Sequence, residues 1–216
     1  MRKLINGIIE FRRNRLPDYR EKFMELALGQ SPDVLFIACS DSRVVPNLFA
    51  STNPGDLFVI RNMGNLVPSC DCDQHNEHSV AAAIEFSLNT LGVKDIVVCG
   101  HSDCGAIRAL IRDPKERHPY LNDWLQHAQS ALDSYENRED WLADGEMQYH
   151  NQLSQLNVLQ QIDHLKTYPT VQEKLKSGDL KLHGWWFDIG TADVLEYNPA
   201  LKKFELIDET WAAKFS

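Results

Sequence analysis

The sequence predicts an α/β fold: a central, mainly parallel β-sheet flanked by helices, with an N-terminal helical arm. Three short apolar runs, at 33–39, 57–60 and 95–99, carry this prediction. An unbroken apolar run of this length is typical of a strand buried on both faces, as in parallel sheets. Residues 79–91, between the second and third runs, have helical periodicity, so strands and helices alternate as a parallel sheet requires.

The remaining elements follow from periodicity and from turn residues. Residues 3–15 place apolar side chains at helical spacing, and Pro17 is expected to break that pattern and to open a second helix through Leu28. Gly92 is a suitable C-cap for the helix over 79–91. The other predicted elements are a helix from Gly105 to the residues before Pro114, helices near 119–135 and 147–166, and strands within 180–187 and 193–207.

The chain organisation is expected to be simple. A chain of 216 residues can bury a sizeable core, and it contains no internal repeat, low-complexity tract or obvious linker. We therefore expect residues 1–216 to form one domain, in which residues 1–29 are an amphipathic arm that covers its own domain or a partner subunit.

Composition excludes several classes of partner. The formal net charge of -9 argues against a nucleic-acid ligand, whose phosphates would be repelled. No apolar run approaches the ~18 residues that a membrane span needs, and polar residues interrupt the N-terminus too early for a signal-peptide core. We expect a cytoplasmic protein, in which the five cysteines are metal ligands, nucleophiles or core residues rather than disulfides.

Reactive side chains follow two of the predicted strands at the point where each strand ends. The first strand leads into Cys39, Asp41 and Arg43, and the third leads into His101 and Cys104. Functional groups of α/β sheets collect outside the carboxyl ends of the strands, so these two loops can meet although they are distant in sequence.

Two thiols and one imidazole at this edge form a ligand set that suits zinc. Cys39, His101 and Cys104 would leave a fourth coordination position open, which is typical of catalytic rather than structural zinc. Gly105 lets the backbone approach the metal and opens a helix whose N–H groups point at the Cys104 thiolate. The alternative is that each cysteine is a small core residue at a strand end, and spacing alone leaves both interpretations open.

Three motifs resemble those of the β-class carbonic anhydrases. They are "CSDSRV" at 39–44, "RNMGNLVP" at 61–68 and "GHSDCGA" at 100–106, and the similarity extends from the N-terminal helices to at least the strand at 182–188. The resemblance implies one Zn²⁺ per chain, held by Cys39, His101 and Cys104. It implies reversible hydration of carbon dioxide to bicarbonate and a proton, in which a hydroxide formed on the zinc attacks carbon dioxide.

The same resemblance assigns a catalytic dyad. Asp41 would accept a hydrogen bond from the hydroxide and aim it at the carbon, and Arg43 would hold Asp41 in place and keep it ionised. In this family the same aspartate can also swing onto the metal, so Asp41 is a potential fourth zinc ligand.

A small apolar pocket and an oligomer are implied as well. Gln30, Phe58, Met63, Phe86 and Gly105 match positions that line the substrate pocket in the family. Because the family builds that pocket at a dimer interface, a homodimer or a tetramer of dimers is implied, with the N-terminal helices embracing the partner subunit.

Two other functions remain as alternatives. The same scaffold could hydrolyse a related heterocumulene such as carbon disulfide, or it could be a zinc-binding regulatory protein without turnover. A structural zinc site needs no Asp41–Arg43 pair, which argues against the second alternative.

Other polar residues have more ordinary interpretations. Cys70, Cys72, His75 and His78 could supply four ligands to a second metal, but Cys-x-Cys spacing is tight for zinc and a solvated loop is the default. Asp103 is expected to be oriented by local backbone rather than to be catalytic. Any of the unassigned histidines could relay protons: His118, His127, His150, His164 and His183.

Overall fold

A six-stranded sheet forms the centre of the computed structural model, which describes residues 1–70, 78–136 and 147–213. The strands are β1 (Val34–Cys39), β2 (Leu57–Asn62), β3 (Asp95–His101), β4 (Lys181–Phe187), β5 (Val194–Asn198) and β6 (Lys203–Leu206). They lie in the order β2-β1-β3-β4-β5-β6. The first four in this order are parallel, and β5 and β6 are antiparallel to their neighbours. The predicted α/β fold with a mainly parallel sheet is confirmed.

Helices cover both faces of this sheet and form the arm. They are α1 (Arg2–Glu10), α2 (Leu16–Leu26), α3 (Pro46–Phe49), α4 (His78–Glu85), α5 (Gly105–Leu110), α6 (Pro119–Leu125), α7 (Gln129–Glu136), α8 (Tyr149–Leu165), α9 (Pro169–Ser177) and α10 (Glu209–Ala212). The helix predicted over 79–91 is α4 followed by a π-helical turn at Phe86–Thr90, and Gly92 then adopts a left-handed φ of 69°. The helices expected near 119–135 and 147–166 are present, whereas α9 was not predicted.

The central strands are buried on both faces, as their apolar runs predict. Leu35 and Ile37 of β1 pack with α4 and α8 on one face of the sheet. Phe36 and Ala38 of the same strand pack on the opposite face with Phe187. This double-sided core fixes the carboxyl ends of β1 and β3 next to each other.

The prediction that β2 is also buried on both faces is wrong. Its residues alternate between half-buried and exposed, and Val59 is exposed. The reason is topological, because β2 lies at the edge of the sheet and pairs only with β1 in the described structure.

The N-terminal arm differs from the prediction at its junction. Pro17 lies in the first turn of α2 as expected, but a π-helical turn at Phe11–Arg15 joins α1 to α2, so helical structure continues through the junction. Helix α2 ends at Leu26, two residues before the predicted end at Leu28.

Two further features concern the apolar residues of the helices. No residue of α1 is buried, although one side of it carries the apolar residues Leu4, Ile5, Ile8 and Ile9. Within residues 1–70, 78–136 and 147–213, no helix has the length and apolar character that crossing a bilayer demands.

Candidate metal centre

Three potential metal ligands converge at the carboxyl edge of the sheet. Cys39 ends β1, His101 ends β3, and Cys104 precedes the first turn of α5. Because β1 and β3 are adjacent and parallel, their ends bring these residues together. The sulfur and ring nitrogen atoms lie within 4.8 Å of one another, and all three residues are buried. This convergence is what the sequence predicted from residues far apart along the chain.

The geometry of the three groups fits zinc. The Sγ atoms of Cys39 and Cys104 are 3.9 Å apart, and two thiolates bound at ~2.3 Å to a tetrahedral zinc ion would be about 3.8 Å apart. His101 Nδ1 lies 2.8 Å from the Ser102 carbonyl oxygen, to which it donates, so Nε2 carries the free lone pair. Nε2 is buried and has no hydrogen-bond partner among the described residues. A metal ion would satisfy this atom.

The two thiols differ in acidity because they share a hydrogen bond. The hydrogen bond shared with Cys104 lowers the pKa of Cys39, with further support from the Gly64 N–H. The same hydrogen bond, together with burial, raises the pKa of Cys104. Cys39 is thus the more acidic of the two thiols, and the thiolate is the form that binds metal.

Gly64 supports Cys39 in a way that the sequence did not reveal. Its N–H lies 3.4 Å from Cys39 Sγ. Its φ of 79° is in the left-handed region, and a Cβ there would approach the Ala106 Cβ to 3.1 Å. Glycine is thus required here both for the backbone conformation and for space.

Asp41 and Arg43 form a bidentate ion pair beside the candidate ligands. Arg43 Nε donates to Asp41 Oδ1 at 2.9 Å, and Nη2 donates to Oδ2 at 2.8 Å. These hydrogen bonds hold the pKa of Asp41 well below its usual range and raise that of Arg43. The Asp41 carboxylate is therefore ionised at any pH near neutrality.

Arg61 holds the loop that carries this pair. Its Nε and Nη2 donate to the Cys39 carbonyl oxygen at 3.1 and 2.9 Å, and Nη2 also donates to the Asp41 carbonyl oxygen at 2.6 Å. Sequence reasoning gave Arg61 no role in the site, although an arginine on the neighbouring strand, opposite the strand end, was the available signal. Its contacts tie β2 to the loop between Cys39 and Asp41.

The residues assigned to the substrate pocket are only partly assembled in one chain. Phe58 and Phe86 pack together with ring centroids 5.9 Å apart. Met63 is 44% exposed, and Gly105 begins α5. Gln30 lines an exposed groove along α2 that contains none of the three candidate ligands. The single chain therefore does not bring Gln30 to the candidate metal centre.

The four residues considered for a second metal site lie partly outside the described residues. Cys72 and His75 belong to the undescribed segment, while Cys70 and His78 are exposed. Across the described ranges, the only cluster of three or more metal-binding side chains is Cys39, His101 and Cys104.

Comparison with known proteins identifies the family. Residues 34–194 match the family model described as carbonic anhydrase. The chain is 41% identical over 215 residues to the carbonic anhydrase of Synechococcus elongatus, covering 97% of this chain and 76% of that protein.

The chain belongs to the carbonic anhydrase family.

Solved structures place this carbonic anhydrase in the β class. The β-carbonic anhydrase CcaA has a TM-score of 0.85 and 39% identity, over 95% of this chain and 98% of that structure. Tetrameric β-carbonic anhydrases of Sordaria macrospora give a TM-score of 0.78 and 31% identity, over 90% and 95% of the two chains. The resemblance stated from the three motifs is confirmed, and the chain is a carbonic anhydrase of the class whose reaction is carbon dioxide hydration.

Proposed function

We propose that this carbonic anhydrase hydrates carbon dioxide reversibly to bicarbonate and a proton, with one Zn²⁺ per chain held by Cys39, His101 and Cys104. One observation carries the proposal. Three buried ligand atoms lie within 4.8 Å of one another, directly beside a bidentate Asp41–Arg43 pair. A structural zinc site would not need that pair.

Zinc, when bound, supplies a Lewis acid that makes a water-derived nucleophile available near neutral pH. The chain's own residues then orient the reaction. The ionised Asp41 carboxylate accepts a hydrogen bond from the attacking oxygen and directs its remaining lone pair toward the carbon of carbon dioxide. Arg43 keeps that carboxylate charged and in position.

The contacts of Asp41 also bear on its alternative role as a fourth metal ligand. Both carboxylate oxygens are bound to Arg43, and the Arg43 N–H donates to Oδ1 at 3.0 Å. If the Asp41 carboxylate moved from Arg43 to the metal, three hydrogen bonds would break. We propose that this arrangement represents the form in which the fourth coordination position would be open to water.

A second copy of the chain would complete the site. The apolar face of α1 is exposed in a single chain, and Gln30 lies away from the metal ligands. We propose that residues 1–29 pack on a partner subunit and that the substrate pocket, with Phe58, Met63 and Phe86, is built at that interface. A homodimer or a tetramer of dimers would result, and the Sordaria macrospora relatives are tetrameric.

The proposal is tested by stopped-flow measurement of carbon dioxide hydration by the wild type and by Asp41→Asn. Asparagine keeps the size of the side chain but loses the charge that Arg43 binds, so we expect kcat/KM to fall roughly a hundredfold at equal zinc content. Asp163→Asn is the matched control, because Asp163 forms an exposed ion pair with Lys166 and is expected to be neutral.

Two results would contradict the proposal in different ways. A wild type that holds zinc but does not hydrate carbon dioxide would favour a non-catalytic zinc protein, or a hydrolase whose substrate is carbon disulfide. Equal rates for the wild type and Asp41→Asn would remove the dyad from the mechanism.

A further inference from the structure

A chain of polar contacts extends the Asp41–Arg43 pair away from the metal ligands. Arg43 Nη2 donates to the Asp103 carbonyl oxygen at 3.2 Å, and Arg43 Nη1 lies 3.9 Å from Asp103 Oδ2. Arg108 donates to Asp103 Oδ1 through Nε at 3.0 Å and also through Nη2. His150 Nε2 lies 3.1 Å from the same oxygen. Arg43 is therefore held between two aspartates.

The backbone of Asp103 is fixed in an uncommon conformation. Its φ of 61° is in the left-handed region, which few non-glycine residues adopt. The Asp103 N–H donates to Asn151 Oδ1 at 2.8 Å, which ties the residue to α8. This conformation directs the Asp103 carbonyl oxygen at Arg43 and its side chain at Arg108.

The two oxygens of Asp103 have separate partners. Arg108 and His150 both contact Oδ1, whereas Oδ2 faces Arg43. Arg43 Nη2 has two N–H groups and contacts both the Asp41 carboxylate and the Asp103 carbonyl oxygen, while Nε binds Asp41 alone. Asp103 thus holds Arg43 without displacing Asp41.

This support matters because Arg43 is accessible to solvent. Its side chain is 45% exposed, so without a second anchor it would gain rotamer freedom and leave Asp41. The ion pairs of Asp103 are similarly exposed. Their effect is therefore expected to come from geometry more than from Coulomb energy.

We infer that Asp103 is a positioning residue that holds the Arg43 guanidinium where it binds both oxygens of Asp41. The inference rests on the proposed function. It goes beyond the expectation that Asp103 is merely oriented by local backbone, because its carbonyl oxygen and its carboxylate both face Arg43.

The test is a double-mutant cycle between Asp103→Asn and Arg43→Gln, measured by stopped-flow hydration of carbon dioxide. Asparagine tolerates the left-handed backbone and keeps the carbonyl contact, but it removes the charge. We expect Asp103→Asn to lower kcat/KM roughly fivefold in the wild type and by less than about 1.5-fold in the Arg43→Gln background. The zinc-to-protein ratio should stay at one, and Asp163→Asn should match the wild type.

A spectroscopic readout is independent of turnover. The ¹⁵N–¹H signal of Arg43 Nε, assigned by its loss in Arg43→Gln, should move toward the position of solvent-exposed arginines in Asp103→Asn. Arg108→Gln, which leaves the loop sequence intact, should shift the same signal in the same direction.

Two outcomes would overturn the inference. One is an Asp103→Asn protein with wild-type kcat/KM and an unmoved Arg43 signal. The other is a fall in rate on Asp103→Asn that is equally large in the Arg43→Gln background, or that is accompanied by loss of zinc. Either result would mean that Asp103 only shapes the ligand loop. Failure of the proposed function would look different, since the wild type itself would then not hydrate carbon dioxide.

Discussion

At the residue scale, the backbone of Gly64 supports the sulfur atom of Cys39. Gly64 donates its N–H to Cys39 Sγ at 3.4 Å while adopting a φ of 79°. We predict that Gly64→Ala destabilises the protein by about 1–3 kcal/mol and accelerates zinc loss to a chelator, because the added Cβ strains the backbone and presses on Ala106. Denaturant unfolding and chelator competition measure the two effects.

Gly92→Ala separates strain from metal binding. Gly92 also has a left-handed φ of 69°, but a Cβ there would meet nothing within 4 Å. The Gly92→Ala variant should therefore unfold at a lower denaturant concentration because of backbone strain, but it should retain zinc as well as the wild type does. Equal zinc retention in Gly64→Ala and Gly92→Ala would show that the Gly64 N–H does not support Cys39.

The sequence predicted the candidate metal ligands but not the residues that hold the loops around them. Cys39, His101 and Cys104 follow buried runs, so their meeting at one sheet edge could be predicted from topology. Arg61 and Asp103 could not be assigned, because Arg61 reaches the backbone carbonyls of another loop and Asp103 meets Arg43 and Arg108 through loop conformations that the sequence pattern does not encode.

At the element scale, His183 joins three strands of the sheet. His183 of β4 places Nδ1 2.7 Å from Glu196 Oε1 on β5 and Nε2 2.9 Å from Asp95 Oδ1 on β3. Both contacts are hydrogen bonds only when the ring carries two protons. The hydrogen bond to Glu196, followed by that to Asp95, raises the pKa of His183 although burial opposes it.

Stability should therefore depend on pH through His183. Because the folded pKa lies above the unfolded value of about 6.5, the stabilisation is fully present below pH ~6.5 and is lost as pH rises through the folded pKa. We predict that His183→Gln costs about 1–3 kcal/mol near pH 6 and progressively less at alkaline pH. Denaturant unfolding at fixed protein concentration measures this.

The exposed His118 provides the control for that series. His118→Gln should follow the wild-type stability curve at every pH. A stability difference between the wild type and His183→Gln that stays constant from pH 6 to 9 would show that the His183 charge does not stabilise the sheet.

The elements themselves were predicted unevenly, for identifiable reasons. Apolar runs predicted β1 and β3 well because both are central, but a run cannot distinguish an edge strand such as β2 from a central one. Helix α9 was missed although Pro169 in its first turn and Gly178 after its last are ordinary boundary signals. Its sequence is mostly polar, so few apolar residues mark a buried face.

At the scale of the whole molecule, the N-terminal arm has an apolar face that a single chain does not bury. Helix α1 exposes Leu4, Ile5, Ile8 and Ile9 along one side. We predict that Ile8→Glu shifts the protein toward the mass of one chain in light scattering, because it places a charge on the face that a partner would bury.

Asn6→Glu is the matched control, because it adds the same charge to the other side of α1. It should leave the oligomer unchanged. A wild type that is already monomeric, or equal masses for the two variants, would contradict a role for the arm in assembly. The amphipathic pattern of α1 alone could not identify the surface that covers it, since an exposed apolar face fits several partners equally well.

The central claim is that the chain hydrates carbon dioxide with zinc bound by Cys39, His101 and Cys104. The most direct test measures zinc content and hydration rate on the same samples during stepwise chelation and zinc readdition, with Cys104→Ser alongside. We predict that rate and zinc content fall and return in proportion, with full activity at one zinc per chain and neither zinc nor activity in Cys104→Ser. Unchanged hydration by protein stripped of zinc, or full zinc binding by Cys104→Ser, would contradict the account.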